Sequence, residues 1–261
     1  QVTDNPDDQA YGGFDGKHDG RPSLIVSQWV LEALYLTDYL EQPPYQVSEE
    51  RRQQTINAYK HAVIFISRCQ HAATTGHETD PADTGFFADF PGAKGAAKGQ
   101  PPPGTPRSRA MLTLAGLKSL VHARVQLDNP HAVAAIRWLK HHYDVTVNPE
   151  LDHVGYYTYL FTFCQAMRAI DAGVVTLADG SKQFWQRDVV LQLLKRQRGN
   201  GTWSQGNAEW WESHPVTGDR LRHAHAGNLS DPRRFVPLMR RSQPGETPRR
   251  TFNPTLRRHN E

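Results

Sequence analysis

Apolar positions recur at helical spacing in six segments of this chain, and the segments alternate in kind. Three are apolar almost all round: residues 24–40 (LIVSQWVLEALYLTDYL), 110–123 (AMLTLAGLKSLVHA) and 156–170 (YYTYLFTFCQAMRAI). Each is followed by a segment with one polar stripe, at residues 49–70, 130–143 and 182–197. A helix apolar on every side is buried on both, whereas a one-striped helix shields its neighbour from water. No stretch shows the period of two that a half-buried strand needs. The pattern predicts an all-α fold of six helices, an inner layer wrapped by an outer one, with the inner helices parallel because each pair returns to the same end.

Helix-start chemistry agrees. Ser48 followed by Glu49 and Glu50 supplies an N-cap and two acids at a helix N-terminus, and Asp128-Asn129 precedes Pro130 at a first helical position. The last outer segment ends in a turn, Gln197 to Trp203, in which Gly199 and Gly201 supply positive φ and Trp203 folds back over the helix end. The same elements recur in Gln9-Ala10-Tyr11-Gly12-Gly13-Phe14, and in Gln70 followed after an insertion by Gly85-Phe86-Phe87. Recurrence of one turn marks a repeat architecture. Gln197, Gly201 and Trp203 are therefore structural, with Gln197 bonded to backbone near a helix end and Trp203 buried against the outer helix.

RQRGNGTW resembles the QW-type repeat of the squalene cyclase and protein prenyltransferase superfamily. Residues 110–143, with DGRPSLIVSQWVLEAL, IFISRCQ, GYYTYLFTFCQAMRAI and AEWWE, resemble bacterial prenyltransferase and squalene oxidase repeat proteins over about residues 11–213. The resemblance implies an α/α toroid, of which six helices make a partial ring over residues 1–217. It does not fix an activity. The Asp-x-Asp-Asp acid motif of class II terpene cyclases is absent: Asp4-Asn5-Pro6-Asp7-Asp8 and Asp80-Pro81-Ala82-Asp83 lack its spacing. The Asp, Cys and His set of zinc prenyltransferases does not map onto this chain either.

Composition adds bounds. The 261 residues suffice for one good core, a mean hydropathy of −0.66 excludes a membrane-embedded protein, and no apolar run approaches a transmembrane span. The first residue is Gln1, which fits either a cleaved secretory signal or a fragment boundary, so compartment stays unassigned. Cys69 and Cys164 lie in apolar sequence and read as buried free thiols. The histidines (His61, His71 and His77; His141 and His142; His214, His223 and His225) show no metal spacing, so neither a metal nor a cofactor is expected.

The net charge of +3 conceals a basic tail. Residues 218–261 hold ten Arg, four acids and five Pro, a composition that favours neither a long helix nor a core. This tail is a solvated extension, an arm for an acidic partner, nucleic acid or anionic surface, or sequence out of register with the relatives it resembles.

Two regions offer chemistry. The segment 74–106 carries Asp80 and Asp83, the best placed general-acid candidates, amid Gly- and Pro-rich sequence in which acids are usually solvated. The inner segments carry Trp29, Tyr35, Tyr156, Tyr157, Tyr159, Phe161 and Phe163. These either pack as core or line a cavity, and the resemblance implies an isoprenoid-like, apolar ligand for which Trp29, Tyr156, Tyr157, Tyr159 and Phe163 are the binding candidates. The expected function is a non-catalytic repeat protein binding a protein partner or an apolar ligand on its inner face. The alternative is a terpene cyclase or prenyltransferase whose acid motif has diverged or lies elsewhere. Six helices leave a toroid's apolar edge open, so self-association or a partner is expected to cover it.

Overall fold

The computed structural model describes residues 1–16, 20–70, 84–86, 88–91, 108–149 and 151–204, all within one compact unit, Gln1–Leu221. Asp80, Asp83, five of the eight histidines named above and the basic tail lie outside the described residues.

Among the described residues six α-helices carry the fold: α1 (Leu24–Leu36), α2 (Glu49–Arg68), α3 (Ala110–His122), α4 (Pro130–His141), α5 (Tyr156–Ala169) and α6 (Trp185–Arg196). Their starts follow the expected cap chemistry. Ser48 Oγ accepts from Arg51 N, and Asn129 Oδ1 accepts from His131 N ahead of Pro130 at the first turn. The first apolar segment is shorter than its periodicity suggests. Thr37 Oγ1 donates back to the Ala33 carbonyl at 2.7 Å and ends α1, after which Asp38–Glu41 continues as a 3-10 turn.

The described residues also hold a hairpin that the hydrophobic pattern did not contain. Val175–Thr176 (β1) pairs antiparallel with Lys182–Gln183 (β2), two residues a side being too short for a legible period. The connecting loop bends at Gly180, with φ 85°. Lys182 thus belongs to this hairpin, and α6 begins three residues later.

α3 is the centre. Every residue from Ala110 to Leu120 is buried, because α1 and α5 pack on it, as do α2 and α4. One apolar cluster joins α1, α2, the flank of α3 and the alanines of α4. A second joins α5, Trp138 and Leu139 of α4, Trp185 and Val189 of α6, and Trp203. Among the described residues the cysteines sit in these clusters, free and buried.

One hydrogen-bonding device recurs at four turns. Gln197 Nε2 donates to the Gly201 carbonyl at 3.0 Å, two residues ahead of Trp203. Gln70 Nε2 donates to the Thr84 carbonyl at 3.2 Å, two residues ahead of the buried Phe86. Asn148 Nδ2 donates to the Val154 carbonyl at 2.8 Å, two residues ahead of the buried Tyr156. At the N-terminal turn Gln1, and not Gln9, fills the role: its Nε2 donates to the Gly12 carbonyl at 3.2 Å, two residues ahead of Phe14. Gln1 and Gln70 also reach a following outer helix, donating to the Ala58 carbonyl of α2 at 2.9 Å and to the His131 carbonyl of α4 at 2.9 Å. Each side-chain amide thus fixes the carbonyl that aims the next aromatic inward. The Phe86 ring is seated where α3 has no side chain: a Cβ at Gly116 would stand 2.6 Å from it.

Candidate functional site: a polar-aromatic cluster across α1, α3 and α5

Lys118 lies in the middle of α3, with a side chain 0% exposed. An ammonium in such a place must be neutralised and hydrogen-bonded. Its Nζ donates to Glu32 Oε2 of α1 at 3.1 Å and to Gln165 Oε1 of α5 at 3.0 Å. Gln165 Nε2 donates in turn to Glu32 Oε1 at 3.1 Å. The triangle is closed, and it ties all three helices together.

Aromatic rings roof it. The Trp29 ring stands 4.5 Å from Lys118 Nζ, within cation–π range, and stacks on Phe161 of α5 at 6.0 Å between centroids and 25° between planes. Trp29 and Phe161 therefore meet across α3. Trp29 is nevertheless 45% exposed, as is Leu36 at 63%, one heptad on along the same face of α1. The result is an apolar surface open to solvent over a charge pair that cancels itself.

Burial pulls the Lys118 ammonium below its usual value, and the Glu32 carboxylate opposes that shift. One turn further along α3, His122 stacks on Tyr35 at 4.8 Å, and its Nδ1 has no hydrogen-bond partner among the described residues. Burial, with the nearby Lys118 charge second, pulls its pKa down to about 4. A folded-state value below the unfolded 6.5 means that protonation favours the unfolded chain. The stability is whole above pH 6.5 and is lost as pH falls towards 4, by about 2–3 kcal/mol. Denaturant titrations across that range should show this slope in the wild type and its loss in His122→Phe; equal slopes would refute the assignment.

The binding candidates from the sequence divide. Trp29 is on the open face. Tyr156, Tyr157, Tyr159 and Phe163 are buried on the other side of α5, packed towards α6 and residues 143–145. The Tyr156 hydroxyl donates to the Val145 carbonyl at 2.7 Å and that of Tyr159 to the Asp144 carbonyl, while Phe163 meets Trp185 edge-on at 6.1 Å. They are core residues, because α5 turns its aromatic face outward to the helix that covers it. Sequence reasoning missed Glu32, Lys118, Gln165 and His122. The available signal was a charged residue set alone in each of two apolar helices.

No group of three or more His, Cys, Asp or Glu side chains converges among the described residues, and no helix there is long and apolar enough to cross a membrane. A small apolar groove of 180 Å³ lies elsewhere, between Ile136, Leu139 and Val174. No protein-family model, curated protein or solved structure matches the chain.

Proposed function

We propose that this chain is a helical-hairpin repeat protein, arranged as part of an α/α toroid like the squalene cyclase and prenyltransferase proteins it resembles, and that its inner face binds an apolar ligand. The observation that carries the reading is the Trp29–Phe161 pair. Two aromatic rings from different helices are held together over a self-neutralised Lys118–Glu32 pair, and one of them is left 45% exposed. An exposed, preorganised aromatic surface gains most by covering itself with apolar matter. The recurrent amide-to-carbonyl turn supports the repeat reading.

Catalysis has less in its favour. A cyclase needs a protonated carboxyl, and Glu32, the carboxyl of this cluster, is held as the counter-ion of Lys118. The test is a titration with a fluorescent isoprenoid alcohol. Saturable binding is expected, weakened about tenfold or more when both Trp29 and Phe161 are replaced by alanine, as for truncated aromatic anchors. Binding that ignores both substitutions would remove the inner face from the account, and conversion of the alcohol to a new product would favour the enzyme.

A further inference from the structure

α6 carries apolar residues on two opposite faces. Trp185 and Val189 are buried in the cluster beneath it, whereas Val190, Leu191 and Leu194 are exposed on the far side, with Phe184 exposed just ahead of the helix. Helical spacing sets Arg187 on the same stripe, one turn before Val190 and Leu191. Lys195 flanks the patch, and Lys182 and Arg198 stand beyond its two ends, all of them exposed. Cations therefore ring the apolar side chains. The single acid of residues 182–198, Asp188, has a side chain only 16% exposed and accepts from the Tyr143 hydroxyl at 3.0 Å and from Arg187 at 3.3 Å.

This combination narrows what the patch can meet. On α2 the exposed Ile56 and Ile64 stand two turns apart with the exposed Lys60 between them, so no continuous apolar patch forms there. An edge built to take another buried helix would not be ringed by Lys and Arg, whose burial without partners is costly. A nucleic-acid backbone would use the cations and leave the aliphatic side chains with nothing to bury against. An anionic lipid surface takes both, because aliphatic side chains enter the acyl boundary while Lys and Arg reach out along their stems to the headgroup phosphates.

We infer that α6 docks on an anionic lipid surface, lying along it with Val190, Leu191 and Leu194 pressed between the headgroups. No described helix is long and apolar enough to cross a membrane, and α6 has 12 residues, so the contact is interfacial. The inference stands apart from whatever the inner face binds.

The ten Arg of residues 218–261 would draw the chain to anionic vesicles by themselves, so depth at α6, and not binding alone, is the deciding readout. Cys69 and Cys164 are both buried, which leaves an introduced surface cysteine as the one a dye can reach. A polarity-sensitive dye on Val190→Cys should shift to the blue on phosphatidylcholine vesicles containing about one third phosphatidylserine. The same dye on Asn57→Cys, at an exposed position of α2, should not. Phosphatidylcholine alone, at the same lipid concentration, should leave both unchanged. Adding Leu191→Ser and Leu194→Ser to the Val190→Cys chain should raise the lipid needed for half the shift about tenfold, with circular dichroism checking that the helices are kept. A Val190 dye that stays unshifted whether or not the chain sediments with the vesicles, equal shifts at the two positions, an equal shift with duplex DNA, or a shift produced by concentrating the protein without lipid overturns the proposal.

Discussion

Replacing Lys118 by alanine is expected to lower the unfolding free energy by about 3–5 kcal/mol, the range for breaking a buried ion pair from one side. The substitution does three things at once. It leaves Glu32, only 18% exposed, without its counter-ion. It strands Gln165 Oε1, and it opens space beneath Trp29 in a helix buried along its length. Lys118→Met keeps most of the volume and should cost less, and adding Glu32→Leu to it should recover part of the loss, since an apolar replacement of both partners avoids the stranded charge. Urea titrations of the three variants check this. A loss under 1 kcal/mol for Lys118→Ala would mean that α1, α3 and α5 are held by apolar packing alone.

The second large effect is expected at the opposite side of the fold. Trp203 is 4% exposed, joins the cluster that binds α5 to α6, and donates its indole N–H to the Leu193 carbonyl at 2.8 Å. Trp203→Ala should cost about 3–5 kcal/mol, as buried aromatic truncations do. Gln197→Ala should cost about 1 kcal/mol, the net worth of an ordinary hydrogen bond, because Gln197 is itself exposed and water replaces part of what it loses. The order matters more than either value. In this turn the ring supplies the stability and the amide sets its direction, so equal and negligible losses would reduce the repeated turn to a pattern without energetic meaning.

Local chemistry was legible in the sequence, and pairing between distant segments was not. Ser48, Asn129 and Pro130 act within one turn of where they stand, so the starts of α2 and α4 could be read directly. The near-complete burial of α3 follows from a run in which almost every residue is apolar. Lys118 sits in that run without a partner three or four residues away, because its acid comes from Glu32, 86 positions earlier in the chain. Nothing local announces such a contact. The same reason explains Gln1: the turn ending in Phe14 is fixed by an amide 11 residues from the carbonyl it binds, whereas Gln9 merely stood at the expected spacing. The sequence leaves Tyr156, Tyr159 and Phe163 as either core or cavity wall, because α5 is apolar all round. Periodicity cannot say which side of such a helix faces the helix that covers it, and the hydroxyl bonds to Val145 and Asp144 decide that.

Trp29 is the one binding candidate that is open to solvent, and it therefore offers the most direct measurement. With nitrogen-15 in the indole rings, each tryptophan gives its own N–H resonance, and Trp29→Phe identifies the signal of interest. Addition of an isoprenoid alcohol should shift the Trp29 resonance saturably while those of the buried Trp138, Trp185 and Trp203 stay in place. A Trp29 resonance that does not move, or buried resonances that move while it stays fixed, would contradict an inner face that binds apolar ligands.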